Sequence, residues 1–135
     1  MFESVEPIDD DELLFRRVPV SAGWYRPDQA PALEAEAFRP NKSDSTGVSL
    51  FREKYTTIEQ AARGRPGKSY YVAVLRAGDL RNAGMKVDPR PLEGSPGHAE
   101  IGNLTYENRR SRQAVEWRFL LAERLCLRVE GPFVE

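Results

Sequence analysis

The stretch Ser69–Val87, reading SYYVAVLRAGDLRNAGMKV, constrains the fold more than any other part of the chain. Tyr70 to Leu75 is an unbroken apolar run rich in β-formers, the composition of a central strand. A short segment of helical character follows, then Gly84, then a second strand-like piece, Met85–Val87. The stretch reads as scaffold at the centre of a small α+β core. Activity is therefore sought on what this strand positions, and Arg76 at its end is the one residue of the stretch worth testing.

A chain of 135 residues is expected to form one domain and to bury roughly two-thirds of its unfolded surface. Residues 1–11 read as an acidic, flexible leader and residues 12–135 as a single domain; Asp9, Asp10, Asp11 and Glu12 stand in sequence. A formal charge of −1 lacks the basic footprint of a nucleic-acid binder. Arginine outnumbers lysine sixteen to four, which supplies many planar donors suited to carboxylates and phosphates. The lone Cys126 excludes an intrachain disulfide and a CxxC metal site. A cytosolic compartment without a secretory signal is the resulting expectation. No run approaches the ~18 apolar residues of a membrane span.

Leu13–Val20 (LLFRRVPV) predicts a first strand, bent at Pro19. Alternation sets Arg16 and Arg17 on opposite faces, so one of them points toward the core or a cleft, where a buried guanidinium needs a partner. Ser21–Pro31 reads as a loop anchored by Trp24 and Tyr25. Leu33–Phe38 reads as a short strand, and Val48–Phe51 as another. Thr56 or Thr57 caps a short helix through Arg63, with Gly64 as its stop. Asp88–Gly97 is a loop, and His98–Gly102 a further strand. From about Asn108 a long C-terminal helix is expected. Val115, Phe119, Ala122, Cys126 and Val129 form its apolar stripe, Ala114, Trp117, Leu121 and Leu125 flank it, and Gly131–Pro132 ends it.

Three sets of polar residues carry candidate chemistry. Arg63-Gly64-Arg65-Pro66 resembles the core of an AT-hook, in which extended arginines enter the A·T minor groove. The bland alternative is an ordinary turn between helix and strand. His98 and Glu100 share a strand face with backbones ~7 Å apart. They form an acid–base pair in outline, or two thirds of a metal site that lacks a third ligand, so no metal is expected. Arg109, Arg110 and Arg112 crowd a helix N-terminus, where cations cost ~0.3–1 kcal/mol each. They suit an anion or an acidic partner surface; Arg112 is also placed to pair with Glu116. Cys126 reads as a small core residue.

In chain order, Arg16 or Arg17, Ser49 and Glu100 resemble the Arg–Ser–Glu arrangement of ADP-ribosyltransferases. The resemblance implies an arginine on the phosphates and ribose of NAD, a serine at the nicotinamide pocket, and a glutamate against the developing glycosyl cation. His98 departs from it, standing where many members carry Glu or Gln. Across Leu13–Gly102 the LLFRRV opening, the later AFR, the GVS strand, YVAVLRAGDLRNAGMKV and PGHAEIG resemble short bacterial proteins of unknown function. The association of such proteins with larger systems, including defence and toxin–antitoxin loci, comes with that resemblance.

The expected architecture is a single α+β domain: a small mixed or antiparallel sheet packed with short helices and one long C-terminal helix. The leading functional expectation is a bacterial cytosolic accessory domain that binds another protein, with no cofactor and no membrane. An ADP-ribosyltransferase-like or NAD-binding domain is the alternative. Minor-groove DNA binding through Arg63 and Arg65 is the third.

Overall fold

A computed structural model describes residues 5–44 and 46–134. The chain folds around one six-stranded antiparallel sheet in the order β4-β5-β2-β1-β3-β6. The strands are β1 (Leu13–Pro19), β2 (Val48–Arg52), β3 (Tyr70–Arg76), β4 (Val87–Pro89), β5 (His98–Ile101) and β6 (Arg128–Phe133). Three helices complete it: α1 (Ile58–Ala61), α2 (Ala77–Asn82) and α3 (Arg112–Leu120). Among the described residues no helix is long and apolar enough to cross a membrane.

The stretch Ser69–Val87 becomes β3, α2 and the first residue of β4; the strand expected over Met85–Val87 lies instead at Val87–Pro89, so Asp88 and Pro89, expected in a loop, are strand paired with β5. Strand β3 pairs with β1 along its whole length, from Leu13 opposite Arg76 to Pro19 opposite Tyr70. Its other edge is covered by β6, so Val72, Ala73, Val74 and Leu75 are all fully buried.

The two sheet faces are unequally covered. Leu14, Val18, Val48, Leu50, Ala73, Leu75, Ala99 and Ile101 turn to one face. There they meet Leu80 of α2, Ala114 and Trp117 of α3, Leu121, and Phe38. The opposite face holds a smaller cluster of Phe15, Val72, Val74 and Tyr70, covered by Ala61 and Ala62 at the end of α1. At roughly 25 cal/mol per Å² of buried apolar surface, the first face carries most of the hydrophobic stabilisation. The second leaves room for a site.

The C-terminal helix corrects the sequence reading. It is 9 residues of α-helix followed by 5 of π-helix, Leu121–Leu125, and the chain then extends as β6. Ser111 caps the start of α3 by accepting from the Ala114 amide at 3.1 Å. The expected stripe is buried only in part: Phe119 is 52% exposed, whereas Ala122 lies in the core and Cys126 and Val129 pack against it. The neighbouring set Ala114, Trp117 and Leu121 packs into the core. Trp117 also donates its indole N–H to the Ala83 carbonyl at 3.0 Å. Arg128–Phe133 carries alternating charges that do not announce a strand; its place is set by pairing with β3.

Smaller expectations resolve as follows. Thr57 caps α1 with a full capping box to Gln60. The helix stops at Ala62, and Gly64 serves a close approach instead, because a Cβ there would meet the Tyr70 ring at 2.5 Å. The strand expected over Leu33–Phe38 is a 3-10 turn, Ala35–Phe38.

The described part of the leader lies against the domain. Arg52 is wholly buried, and its Nε and Nη2 each reach a Glu12 carboxylate oxygen at 2.8 Å. Its remaining donors reach the carbonyls of Glu6 and Pro7 at 2.6 and 3.1 Å. Arg81 binds the Ile8 carbonyl at 2.7 Å, and the Ile8 side chain enters the core.

Candidate functional site

Strands β1 and β2 pair only at Leu14–Arg52 and Phe15–Phe51. Beyond Phe15 the two backbones part, and Arg16 fills the fork. Register places Arg16 on the well-covered face, between Leu14 and Val18. Its Nε donates to the Ala37 carbonyl and its Nη1 to the Ser49 carbonyl, both at 3.0 Å. One bond goes to a carbonyl of β2 and the other to a carbonyl of the 3-10 turn Ala35–Phe38, so the guanidinium ties the turn to the fork. Arg17 turns to the opposite face, as alternation requires. Its guanidinium lies over the Phe51 ring at 4.8 Å and the Tyr70 ring at 5.6 Å, and it donates to the Arg63 carbonyl.

A cleft of about 540 Å³ opens at this fork, within the usual size of a small-molecule site. Arg16, Arg17, Arg39 and Arg65 line it, with Trp24, Phe51 and Tyr70 as apolar walls and Ser49 on the β2 side. No carboxylate lines it among the described residues. Arg39 has a counter-charge in Glu36 at 3.4 Å, and both side chains are about half exposed. Burial pulls the Arg16 guanidinium down to about 10, opposed in part by the Asp44 carboxylate. Burial also lowers Arg17, with Tyr70 acting in the other direction. Both remain cationic at neutral pH, so the cleft concentrates positive charge in a partly desolvated space.

On the same face as Arg17, β2 and β5 bring three polar side chains together. Ser49 stands opposite Glu100 and Phe51 opposite His98, which sets Ser49 and His98 on a diagonal. His98 Nε2 lies 3.1 Å from Ser49 Oγ, and His98 Nδ1 lies 2.9 Å from the Arg90 carbonyl. The Phe51 ring meets the imidazole edge-on, with centroids 6.2 Å apart. Asp44 Oδ1 is 3.5 Å from Ser49 Oγ, while Oδ2 accepts from the Asn41 amide at 2.7 Å. Glu100 is turned away from the cleft. Its oxygens take Thr46 Oγ1 at 2.9 Å and Arg90 Nε at 3.2 Å. Arg17, Ser49, His98 and Glu100 thus share a face, but the glutamate is engaged elsewhere and Arg16 reaches the cleft from the other side.

The remaining candidates are not gathered into a site. An AT-hook needs a free, extended backbone, whereas Arg63–Pro66 is tied down. The Arg63 carbonyl accepts from Arg17, the Arg65 amide donates to the Tyr70 hydroxyl at 3.1 Å, and Gly64 sits under the Tyr70 ring. Arg65 instead lends its side chain to the cleft. Arg109 folds back over the Tyr106 ring at 3.6 Å and donates to the Tyr106 carbonyl. Arg110 is exposed, and Arg112 pairs loosely with Glu116 at 3.5 Å. Arg76 holds Asp11 and Asp79 at 3.1 and 3.0 Å, a structural duty. Cys126 packs against the core, and burial pushes its thiol up, away from nucleophilic use. Among the described residues no group of His, Cys, Asp and Glu is arranged to hold a metal ion.

Sequence reasoning pointed to Arg16 or Arg17 with Ser49 and Glu100, and to His98 with Glu100, but not to the Ser49–His98 pair. It missed Trp24, Arg39 and Tyr70 as cleft walls, because they come from distant loops and a strand end that only the folded chain assembles. The available signal was the register: once β2 neighbours β5, Ser49 and His98 must meet. Comparison with protein-family models, with curated proteins and with solved structures found no match.

Proposed function

We propose that this chain is a binding domain for a phosphate-bearing small molecule, held in the cleft between β1 and β2. The observation that carries the reading is the set of four guanidinium groups around one cleft with no lining carboxylate among the described residues. Arginine forks match phosphate oxygens bidentately. Trp24, Phe51 and Tyr70 offer flat apolar walls to a ring on the same ligand, which favours a nucleotide over inorganic phosphate. NAD belongs to this class, so the NAD-binding alternative survives as a narrower form of the reading. A transferase in which Glu100 meets the reacting ribose draws less support, because Arg90 and Thr46 already occupy its carboxylate.

The test is equilibrium titration of the purified chain with pyrophosphate, ATP and NAD across a salt series. Saturable binding that weakens with salt and drops in Arg17→Met supports the proposal. Equal heats for the wild-type chain and Arg17→Met, or no binding at low salt, would end it.

A second reading, an accessory domain docking on an acidic partner protein, rests on the exposure of Arg110 and Arg112. It requires that Arg110→Glu with Arg112→Glu weaken capture of the partner while anion titration is unchanged.

A further inference from the structure

The Ser49–His98 pair does more than close a gap between strands. A carbonyl oxygen only accepts, so the 2.9 Å contact with Arg90 requires the proton on His98 Nδ1. In the neutral ring Nε2 then carries a lone pair, and the Ser49 hydroxyl has two acceptors within reach, Nε2 at 3.1 Å and Asp44 Oδ1 at 3.5 Å, of which the imidazole is the nearer. Ser49 lines the cleft. A base oriented by a third group and bonded to a hydroxyl is the arrangement that activates a serine. Arg16 donates to the Ser49 backbone carbonyl at 3.0 Å from the sheet face opposite the hydroxyl, and both residues line the cleft. His98 is 7% exposed, which keeps water from competing for Nε2.

We propose that Ser49 is a nucleophile, with His98 as its base, acting on a phosphate ester held by the arginines of the cleft. The proposal rests on the anion-binding reading for its substrate class, and on the Ser49–His98 geometry alone for its chemistry. Ser49 Oγ attacks phosphorus as the bond from phosphorus to the leaving alkoxide breaks. The Ser49 proton passes to His98 Nε2 and from there to the alkoxide. Water then attacks the phosphoserine, gives a proton to His98 and releases phosphate, and the proton returns to Ser49. Arg16 and Arg17 stabilise the charge on the transferring group.

An uncharged fluorophosphonate reagent separates this claim from anion binding. Peptide mass spectrometry of the wild-type chain should find the adduct on Ser49. Labelling should slow by about 100-fold or more in His98→Asn, the usual contribution of a general base, and should be blocked by pyrophosphate. Arg112→Ala, outside the cleft and 93% exposed in its side chain, should be labelled as fast as wild type and keep its pyrophosphate affinity. The wild-type measurement needs no variant to fold. An unlabelled Ser49, or a rate unchanged in a folded His98→Asn, overturns the proposal. Labelling without protection by pyrophosphate keeps the activated serine but removes the phosphate-ester substrate. Release of phosphate from 4-nitrophenyl phosphate by wild type, and its loss in Ser49→Ala, completes the support; a Ser49→Ala chain that still releases it overturns the assignment.

Discussion

Arg52 on β2 and Arg16 on the neighbouring β1 share a sheet face, the first wholly buried and the second part-buried, and they are treated oppositely. Arg52 meets a carboxylate with both arms of its fork and two further carbonyls, so its charge is answered within the fold. Pairing with Glu12 raises its proton affinity. Arg16 meets only carbonyls, and burial lowers its proton affinity to about 10. One arginine is a rivet that fastens residues 6–12 to β2. The other is a part-buried cation that Asp44 offsets only in part and with which no carboxylate among the described residues forms an ion pair. The difference teaches where stability and function are separated in this chain: a desolvated charge without a counter-charge is costly, and it is useful where an anion completes it.

The contrast breaks first at Arg52. Arg52→Met leaves the Glu12 carboxylate buried and alone and removes donors from two carbonyls, and is expected to cost about 3–5 kcal/mol, read by urea denaturation. A loss under about 1 kcal/mol would make the rivet ornamental. Next in size is Gly64→Ala. Its Cβ would meet the Tyr70 ring at 2.5 Å, so overpacking of about 1–3 kcal/mol is expected, with a weaker anion affinity because Tyr70 is a cleft wall. Unchanged affinity would show that the wall does not shape the site.

Arg17→Met sharpens the comparison from the other side. Its stability change is expected to stay within about 1 kcal/mol, since the side chain sits at a cleft edge without an ion pair among the described residues. Its anion affinity should fall by about ten-fold or more, the worth of one charged hydrogen bond. The effect of pH is narrower. Above about 10 the folded chain releases the Arg16 proton before the unfolded chain does, so the Arg16 contribution to stability rises through that range. Anion affinity moves the opposite way, because the ligand needs the charged form. Titrations between pH 8 and 11 check the sign, and affinity rising above pH 10 would remove Arg16 from the site. The smallest effect is at Arg112→Ala. The exposed pair with Glu116 is worth about 0.2–0.5 kcal/mol, and anion affinity should not move.

Much of the scaffold was legible in the sequence. Apolar runs gave β1, β2, β3 and β5, and Thr57 with Gln60 marked the start of α1. The C-terminal region was not legible. Its two apolar stripes overlap, and the choice of Trp117 over Phe119 depends on the indole N–H finding the Ala83 carbonyl. Strand β6 is polar enough to pass for a helix end, and only the free edge of β3 recruits it. The site was half legible. Adjacent arginines inside an apolar run pointed one of them toward the core or a cleft, and the parity of Arg16 and Arg17 held. The cleft walls and the Ser49–His98 bond depend on strand order, which periodicity does not encode.

Thermal unfolding with and without pyrophosphate tests the division between rivet and receptor most directly, run side by side on the wild-type chain, Arg52→Met and Arg17→Met. The expected result is a wild-type midpoint that rises with ligand. Arg52→Met should start lower and still rise. Arg17→Met should start near wild type and stay there. A ligand shift retained in full by Arg17→Met, or absent from all three chains, would contradict the assignment of the β1–β2 cleft as an anion receptor.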